Sequence, residues 1–498
     1  MWVIALTLSL GQITFVEQPL SEVYVGNVTP FTGQVNTNFL HADMNYDGEM
    51  DLLLTDKLLL QEKGVYDMNA AIPLPEPIGP MDADCYRGAL FYRSAQRLIV
   101  YEFEQGAWRT VLSQSLESPD EPEGFTPQYG NTSQIGFVRF LHDIDADGSP
   151  EIVAIDHSGI RLFRRKDAHY VAAGVLKLPT TIAVSRSTPQ PIWPQTARKI
   201  MFPEQQMSSR IVFESGQVRM VSVEERQDTA TRYLVRSTPL SLDEAANFQE
   251  GASRLTRPEM LPSHLRPCRL NDDDILDFAG GRWVNAETGP LPAPLYELWA
   301  TLDGGETFEV RRATAQTQFR PHCAFVDYDG DGDMDMVTES TLWARGGIRE
   351  RITRFLTEST LEHGLHIYEQ KNGHFAESPT IQATLNIDLE APPAQPQAML
   401  SRYEAGSLLH ITGDMDGDGI RDILVRNAPD EMSLYRGLGW KGFSRKPAWS
   451  HAIAPENDVA VADLNGDGLS DLYVFPRVPA EGSDGPSGSA FYAQRRHP

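Results

Sequence analysis

Short runs of apolar and β-branched residues, bounded by polar and turn-forming residues, recur along the whole chain. Representative runs lie at residues 52–54, 152–155, 423–425 and 472–475. Runs of this length and composition predict buried β-strands. We therefore expect an all-β fold.

Three segments predict further local structure. Ser215 and Gly216 separate two apolar runs at 211–213 and 218–223, which predicts a hairpin. Apolar residues within 342–365 are spaced as on one face of a helix, so we favour a helix there over a hairpin. The Asn372-Gly373 pair predicts a tight turn.

An acidic motif precedes several of the strand-like runs. In the stretch V-D-Y-D-G-D-G-D-M-D-M-V, carboxylates occupy positions 1, 3, 5 and 9 of a loop, at Asp327, Asp329, Asp331 and Asp335, and Gly332 occupies position 6. Oxygen ligands at these positions, with a backbone carbonyl at position 7 and a glycine at the sharp turn, suit a hard divalent cation. We expect Ca²⁺ to fit best.

The same arrangement recurs four more times. The further candidate ligand sets are Asp43, Asn45, Asp47 and Asp51 around Gly48; Asp143, Asp145, Asp147 and Glu151 around Gly148; Asp414, Asp416, Asp418 and Asp422 around Gly419; and Asp463, Asn465, Asp467 and Asp471 around Gly468. A sixth, degenerate copy has Arg269 at the first position, followed by Asn271, Asp273, Asp274 and Asp277. We expect about five structural Ca²⁺ sites and no metal at the degenerate copy.

These loops differ from EF-hands, which place a bidentate Glu at position 12 between two helices. Position 12 is Leu54, Ala154, Thr338, Val425 or Val474, and an apolar run follows each loop. Each loop is therefore expected to open a strand. The alternative is that the Asp residues only form turns by bonding nearby backbone amides. Five copies with common spacing favour metal.

Repetition also predicts the architecture. Repeat units start near residues 43, 88, 143, 205, 269, 327, 414 and 463. The last unit stops at Phe491-Tyr492, and a strand near Phe15 would complete it. Pairing of the two chain ends removes the open edge of a ring. We expect a single β-propeller of four-stranded blades over residues 12–498, with eight blades favoured and seven the alternative.

The chain resembles the FG-GAP and VCBS repeats, which also occur in integrin α heads. The resemblance lies in the loops D-x-[DN]-x-[DN]-G-x-x-[DE], in the apolar strands after them and in the Leu-Tyr and Gly-x-Phe motifs between them. The resemblance is strong at the five loops and weak near Gly88 and Ile211. It implies a calcium-bearing propeller at or outside the cell surface. It implies no particular activity, since one fold hosts many functions.

Composition limits the partners. The formal net charge is −26, from 43 Lys and Arg against 69 Asp and Glu residues, and no basic cluster is present. Nucleic acid and anionic membranes are therefore not expected as partners. No run approaches the ~18 apolar residues of a membrane span. Three cysteines do not make a disulfide scaffold.

The N-terminus has an apolar segment from Trp2 to Leu10 with small residues Ser9 and Gly11 at the place of a cleavage site, but no preceding Lys or Arg. We favour a signal peptide over residues 1–11, with a first strand as the alternative. The predicted location is extracellular, periplasmic or at the cell surface.

Motifs for zinc hydrolysis, a serine nucleophile elbow and phosphate binding are missing from the sequence. We therefore expect a monomeric scaffold that binds a protein or a glycan, and name no catalytic residue. The alternative is a glycosidase or lyase acting on polysaccharide. Its candidate residues outside the loops are Glu390, Glu404, Asp430, Trp299, Trp343 and Trp440.

Overall fold

The computed structural model describes most of the strand-forming segments of the chain. The described ranges are 13–21, 40–54, 56–77, 83–93, 97–115, 141–142, 149–156, 159–166, 169–176, 198–201, 207–214, 217–225, 233–242, 248–256, 266–268, 270–271, 277–284, 295–302, 308–314, 323–341, 348–388, 409–476 and 487–494. Most of these residues lie in antiparallel β-sheets. The all-β expectation is confirmed.

The first three sheets follow the N-terminal strand β1 (Phe15–Ser21). Sheet 1 contains β2 (Leu40–Ala42), β3 (Asp51–Leu53), β4 (Lys57–Leu59) and β7 (Ile72–Pro73), with the ribbon β5 (Gln61–Glu62) and β6 (Val65–Tyr66) and a 3-10 turn at Met68–Ala70 before β7. Sheet 2 contains β8 (Ala83–Tyr86), β9 (Ala89–Arg93), β10 (Arg97–Glu104) and β11 (Ala107–Ser115). Sheet 3 contains β12 (Leu141–His142), β13 (Glu151–Asp156), β14 (Gly159–Lys166) and β15 (His169–Leu176).

The next two sheets occupy the middle of the chain. Sheet 4 contains β16 (Arg198–Met201), β17 (Met207–Glu214), β18 (Gln217–Glu225), β19 (Tyr233–Leu242), β20 (Phe248–Glu250) and β21 (Arg254–Thr256). Sheet 5 contains β22 (Arg266–Cys268), β23 (Asp277–Val284), β24 (Leu295–Thr301) and β25 (Glu309–Thr314). The hairpin expected around Ser215 and Gly216 is confirmed, because β17 and β18 pair antiparallel from Met207 to Glu224.

Sheet 6 carries the helix. It contains β26 (Cys323–Val326), β27 (Asp335–Thr341), β28 (Thr360–Tyr368) and β31 (Ile381–Asp388), with α1 (Ile348–Thr357) before β28 and the ribbon β29 (Gln370–Lys371) and β30 (His374–Phe375) after it. The helix expected within 342–365 is therefore confirmed. Asn372 and Gly373 have φ of 55° and 75°, as a tight two-residue hairpin turn requires.

The last two sheets complete the series. Sheet 7 contains β32 (Leu409–Gly413), β33 (Asp422–Ala428), β34 (Glu431–Tyr435) and β35 (Trp449–Ala452). Sheet 8 contains β36 (Asn457–Ala462), β37 (Asp471–Pro476), β38 (Ser487–Ala493) and the N-terminal β1. Strand β1 pairs with β38 from Phe15 opposite Ala493 to Ser21 opposite Ser487. The two ends of the chain thus share one sheet.

Neighbouring sheets pack face to face through apolar side chains. Leu54 and Tyr66 of the sheet 1 segment pack with Tyr473 and Tyr492 of sheet 8, although they are far apart in sequence. Similar clusters join sheets 1 and 2, 2 and 3, 5 and 6, 6 and 7, and 7 and 8. Successive four-stranded antiparallel sheets stacked in this way fit a β-propeller.

Some expectations lie outside the described residues. These include the signal peptide over residues 1–11 and most of the 143–151 and 269–277 loops. Cys85 is half-buried, and its thiol donates to His41 O at 3.1 Å. Among the described residues, none of the helices has the length and apolar character needed to cross a membrane.

Candidate metal centres

The acidic loops occupy one equivalent place in six sheets. Each joins the first strand of its sheet to the second, as the 43–51 loop joins β2 to β3 and the 414–422 loop joins β32 to β33. Position 9 of every loop is the first residue of that second strand. The expectation that each loop opens a strand is therefore confirmed. Sheets 2 and 4 have other connections at this place.

Carboxylates within the loops close tight turns. At position 1, the Asp414 carboxylate accepts the N–H groups of Gly417 at 2.7 Å and Gly419 at 2.9 Å, and Asp463 does the same for Gly466 and Gly468. The position 6 glycines at 48, 332, 419 and 468 have φ between 85° and 95°, a region that L side chains rarely adopt. The turn-forming role considered from sequence is present. It leaves carboxylate lone pairs for a cation, since each oxygen offers two.

Position 9 has a structural role that the sequence did not reveal. Asp51, Asp335, Asp422 and Asp471 are each at most 2% exposed. One oxygen of each accepts the N–H of loop position 2, at 2.8 to 3.1 Å. The other accepts an N–H at or beyond the end of the third strand, at 2.8 to 2.9 Å. This carboxylate therefore joins the loop to the rest of its sheet.

The degenerate loop keeps this one interaction. Asp277 is fully buried, and its Oδ2 accepts the N–H of Leu270 at 2.8 Å. In sheet 3, the position 9 residue Glu151 bonds the third strand through Arg164, whose Nε lies 3.1 Å from Oε1. Position 9 is thus retained even where other ligand positions have changed.

Among the loops that the structure describes, three carboxylates converge in two. Oxygens of Asp327, Asp329 and Asp331 lie within 4.8 Å of one another, and so do oxygens of Asp414, Asp416 and Asp422. Ligands on opposite sides of Ca²⁺ are about 5 Å apart, because each Ca–O distance is about 2.4 Å. The spacing and the all-oxygen donor set therefore fit a calcium-sized cation. Loops 43–51 and 463–471 offer Asn45 and Asn465 at position 3 in place of a carboxylate.

The pKa values reflect burial of acids beside other acids. Burial raises the pKa of Asp51 to about 6, of Asp422 to about 7 and of Asp335 and Asp471 to about 8, against the opposing effect of two backbone hydrogen bonds; neighbouring loop carboxylates raise them further. A cation at the loop would favour the charged forms. Burial also raises the pKa of Asp329, Asp416 and Asp463.

Two loops have a position 3 carboxylate bound by a residue of sheet 7. Asp416 forms an ion pair with the guanidinium of Arg436, and both side chains are nearly buried. Asp329 instead accepts a hydrogen bond from the indole Nε1 of Trp440 at 2.8 Å. The position 3 carboxylate of the 414–422 loop is therefore paired with a positive charge, whereas that of the 327–335 loop is bonded to a neutral indole N–H.

Adjacent loops are hydrogen-bonded to each other. Arg421 donates its N–H to Tyr328 O at 2.9 Å and its Nε–H to Asp327 O at 3.0 Å. Ser470 donates its N–H to Asp414 O at 2.8 Å. Equivalent bonds run from Met334 to Leu270 and from Gly88 to Asp43. The loops therefore lie side by side at the same end of successive sheets.

Sheet 1 continues this series to sheet 8. Gln61 Nε2 donates to Asn465 O at 2.9 Å, and Tyr66 Oη donates to Leu464 O at 3.1 Å. The same Tyr66 hydroxyl lies 2.8 Å from Met50 O in the 43–51 loop. The sequence offered no sign of this contact, because its members are about 400 residues apart.

Most of the other candidate residues from the sequence lie outside the part of the chain that the structure describes. Asp143, Asp145, Asp147, Arg269, Asp273 and Asp274 lie outside the described residues, as do Glu390, Glu404 and Trp343. Asp430 is exposed in the turn after β33, and Trp299 is buried within β24. Trp440 does lie at a metal candidate, through its bond to Asp329.

Comparison with known proteins identifies one repeat in the chain. Residues 414–474 match the FG-GAP-like repeat family, a span that begins at one acidic loop and ends in the strand after the next. No curated protein matches the sequence. Among solved structures, the chain is similar to the WD40 domain of SCAP from fission yeast, with 10% identity and a TM-score of 0.26, covering 75% of this chain and 87% of that one.

Proposed function

We propose that the chain is a closed β-propeller of eight blades that binds Ca²⁺ in the acidic loops of one face and acts outside the cytoplasm as a scaffold for a protein or glycan partner. The ring is supported by eight sheets among the described residues and by the pairing of β1 with β38. A structure of the isolated protein with seven blades, or with an open ring, would contradict the proposed architecture.

The observation that carries the metal proposal is the repeated placement of the loops. Five loops with four candidate oxygen ligands each join the same two strands of their sheets, and neighbouring loops are hydrogen-bonded. In the 327–335 and 414–422 loops, three carboxylates converge to a spacing that a calcium ion spans. The candidate ligands are those predicted from the sequence, with position 9 also bonding the backbone.

A structural role for the metal follows from the surroundings of the ligands. The carboxylates bond loop amides and lie against the next loop, so a bound cation would hold turns and neighbouring sheets in place. Extracellular calcium modules commonly have affinities of about 10⁻⁴–10⁻³ M, which suits exposed loops of this kind. This supports a location outside the cytoplasm, with the partner bound elsewhere on the scaffold.

Thermal unfolding in calcium and in chelator tests the metal. A ligand that binds only the folded state stabilises it by about 2.7 kcal/mol when present at 100 times its dissociation constant. We expect a higher Tm in millimolar Ca²⁺ than in EGTA, and heat released on calorimetric titration with Ca²⁺. Equal Tm values in the two buffers would contradict a structural metal.

Matched variants separate ligand loss from charge loss. Asp331→Ala removes a position 5 ligand, whereas Asp333→Ala removes a carboxylate at position 7, where the backbone carbonyl would coordinate. We expect only Asp331→Ala to reduce the calcium-dependent gain in Tm. A glycan array and a pull-down of surface proteins, each with Ca²⁺ and with EGTA, then test the binding role.

A further inference from the structure

A cleft of about 620 Å³ lies between sheets 6 and 7. One wall is residues 380–386, which include most of β31, and the other is formed by β33 and the connection 435–445 after β34. Lining residues include consecutive positions of β31, so both the side chains and the backbone of this strand border the cleft. The volume is in the range of ligand-binding pockets.

Strand β31 is the outer strand of its sheet. Its one partner in the described part of the chain is β28, paired from Thr360 opposite Asp388 to Ile367 opposite Ile381. An antiparallel strand directs every second N–H and C=O away from its partner, and at an edge these groups remain available to another chain. The seven lining residues 380–386, at about 3.3 Å each, give an edge of about 23 Å.

The base of the cleft is apolar. Ile381, Ile423 and Val425 are buried there, and half-buried Tyr435 and Phe443 pack against the same core. Aromatic and aliphatic side chains at this spacing suit the apolar side chains of an extended peptide, which project on one face at every second residue.

The charge of the cleft is opposite to that of the protein. Two cations, Lys441 and Arg445, border it and are exposed, and its lining contains no Asp or Glu. The whole chain carries a net charge of −26. A local positive site on an acidic protein favours the binding of an acidic ligand at this cleft over binding elsewhere on the surface.

The wall that bears these cations is already ordered. Ser444 donates its N–H to Arg436 O and Leu438 donates to Gly442 O, both at 2.8 Å. Tyr328 Oη donates to Gly442 O at 3.1 Å from the neighbouring sheet. A wall held by such bonds loses little freedom on binding, which favours affinity.

We propose that this cleft binds an extended acidic peptide of a partner protein, which adds as a further strand to β31 with its apolar side chains on Tyr435 and Phe443 and its carboxylates near Lys441 and Arg445. The proposal rests on the binding role proposed above and specifies its partner. An acidic glycan would use the same cations but would leave the backbone edge of β31 unbonded, so the edge favours the peptide.

Fluorescence anisotropy of a labelled peptide of about seven residues, alternating Val and Glu, tests the proposal. A second peptide replaces Glu with Lys, and unlabelled oligogalacturonate serves as the glycan competitor. We expect the Glu peptide to bind and the Lys peptide not to bind. If oligogalacturonate displaces the Glu peptide and binds at least as tightly as the peptide does, the proposal is overturned in favour of a glycan site.

Backbone methylation tests strand addition itself. Two further Glu peptides carry N-methyl groups on alternate residues, in opposite registers. Only one register directs its N–H groups to β31, so we expect methylation of that register to abolish binding and methylation of the other to leave it within a few-fold. Equal effects in both registers would overturn strand addition.

Charge reversal locates the site. In Lys441→Glu/Arg445→Glu, we expect the affinity for the Glu peptide to fall about tenfold or more. Lys446→Glu is the control, since it reverses an exposed charge of the same connection that does not border the cleft. Unchanged affinity in the double variant overturns the proposal.

Melting with and without Ca²⁺ confirms that the variants fold. It also separates this proposal from the preceding one. If Ca²⁺ stabilises the protein and the protein captures glycans or surface proteins but does not bind the Glu peptide, only the proposal for the cleft is refuted. A protein that Ca²⁺ does not stabilise, but that binds the peptide through Lys441 and Arg445, refutes the metal and retains the cleft.

Discussion

Trp440 donates its indole N–H to Asp329 Oδ2 at 2.8 Å, although the two residues are 111 positions apart and belong to neighbouring sheets. The Trp440 ring also lies 5.6 Å from the ring of Tyr328, between centroids. One candidate calcium ligand is therefore bonded to the connection that forms a wall of the cleft. This contact provides an optical probe of the 327–335 loop.

We expect Ca²⁺ to change the fluorescence of Trp440. A cation at Asp329 would draw carboxylate charge from the indole hydrogen bond. The difference between the spectra of the wild type and Trp440→Phe isolates this residue from the other tryptophans. That difference is expected to change with Ca²⁺ and to saturate, and Asp331→Ala should shift its midpoint to higher Ca²⁺. An identical calcium response in Trp440→Phe and the wild type would contradict this expectation.

Asp471 at position 9 is expected to stabilise the fold even in the absence of calcium. Asp471→Ala leaves the buried N–H groups of Leu464 and Ala493 without their carboxylate acceptor. An unsatisfied buried donor costs about 1–3 kcal/mol, so we expect a loss of about 2–4 kcal/mol in EGTA, measured by urea unfolding. The control Asp467→Ala, at an exposed loop position, should cost less. Equal losses in the two variants would argue against this role.

Arg436 is expected to weaken calcium binding at the 414–422 loop. Its guanidinium pairs with Asp416, so a divalent cation would have to share that carboxylate and approach a positive charge. We expect Arg436→Gln to increase the calcium affinity of one site in a calorimetric titration, and Lys446→Gln to leave all sites unchanged. A loss of affinity in Arg436→Gln would show that the arginine supports the site.

Contact between adjacent loops is tested by two glycines. Gly330 and Gly419 both have positive φ, of 78° and 86°, so alanine brings a similar backbone cost of about 1–2 kcal/mol at each. A Cβ at Gly330 would lie 2.6 Å from Gly419 O, whereas a Cβ at Gly419 meets nothing within 4 Å. We expect Gly330→Ala to lower Tm more than Gly419→Ala. The reverse order would mean that the loops do not touch.

Pairing of the chain ends is tested by a cross-link. Ser21 and Ser487 are opposite each other in the β1–β38 register, at a separation that a disulfide spans. We expect oxidised Ser21→Cys/Ser487→Cys to have a higher Tm than its reduced form, because the bond closes most of the chain into a loop. Each single-cysteine variant is the control. Failure of the pair to cross-link under oxidation would contradict the register.

The sequence alone determined the local features of this protein. Ligand spacing in the acidic loops depends on residues within nine positions, and a glycine at the turn is required by its positive φ, as Gly332 and Gly419 illustrate. Each apolar run after a loop indicated the strand that follows. The strand near Phe15 was also predictable, because the last repeat unit lacked one.

Only the tertiary structure decided which residues of different strands and sheets meet. An acidic residue at position 9 is suited both to binding a metal and to accepting backbone hydrogen bonds, so the sequence did not distinguish these roles. The hydrogen bonds that buried Asp471 accepts from Leu464 and Ala493 did. Trp440 reaches Asp329, and Lys441 borders the same cleft as β31, because sheets 6 and 7 pack together, whereas Arg436 reaches Asp416 within sheet 7. Such contacts depend on the relative placement of whole sheets, which no local pattern of residues specifies.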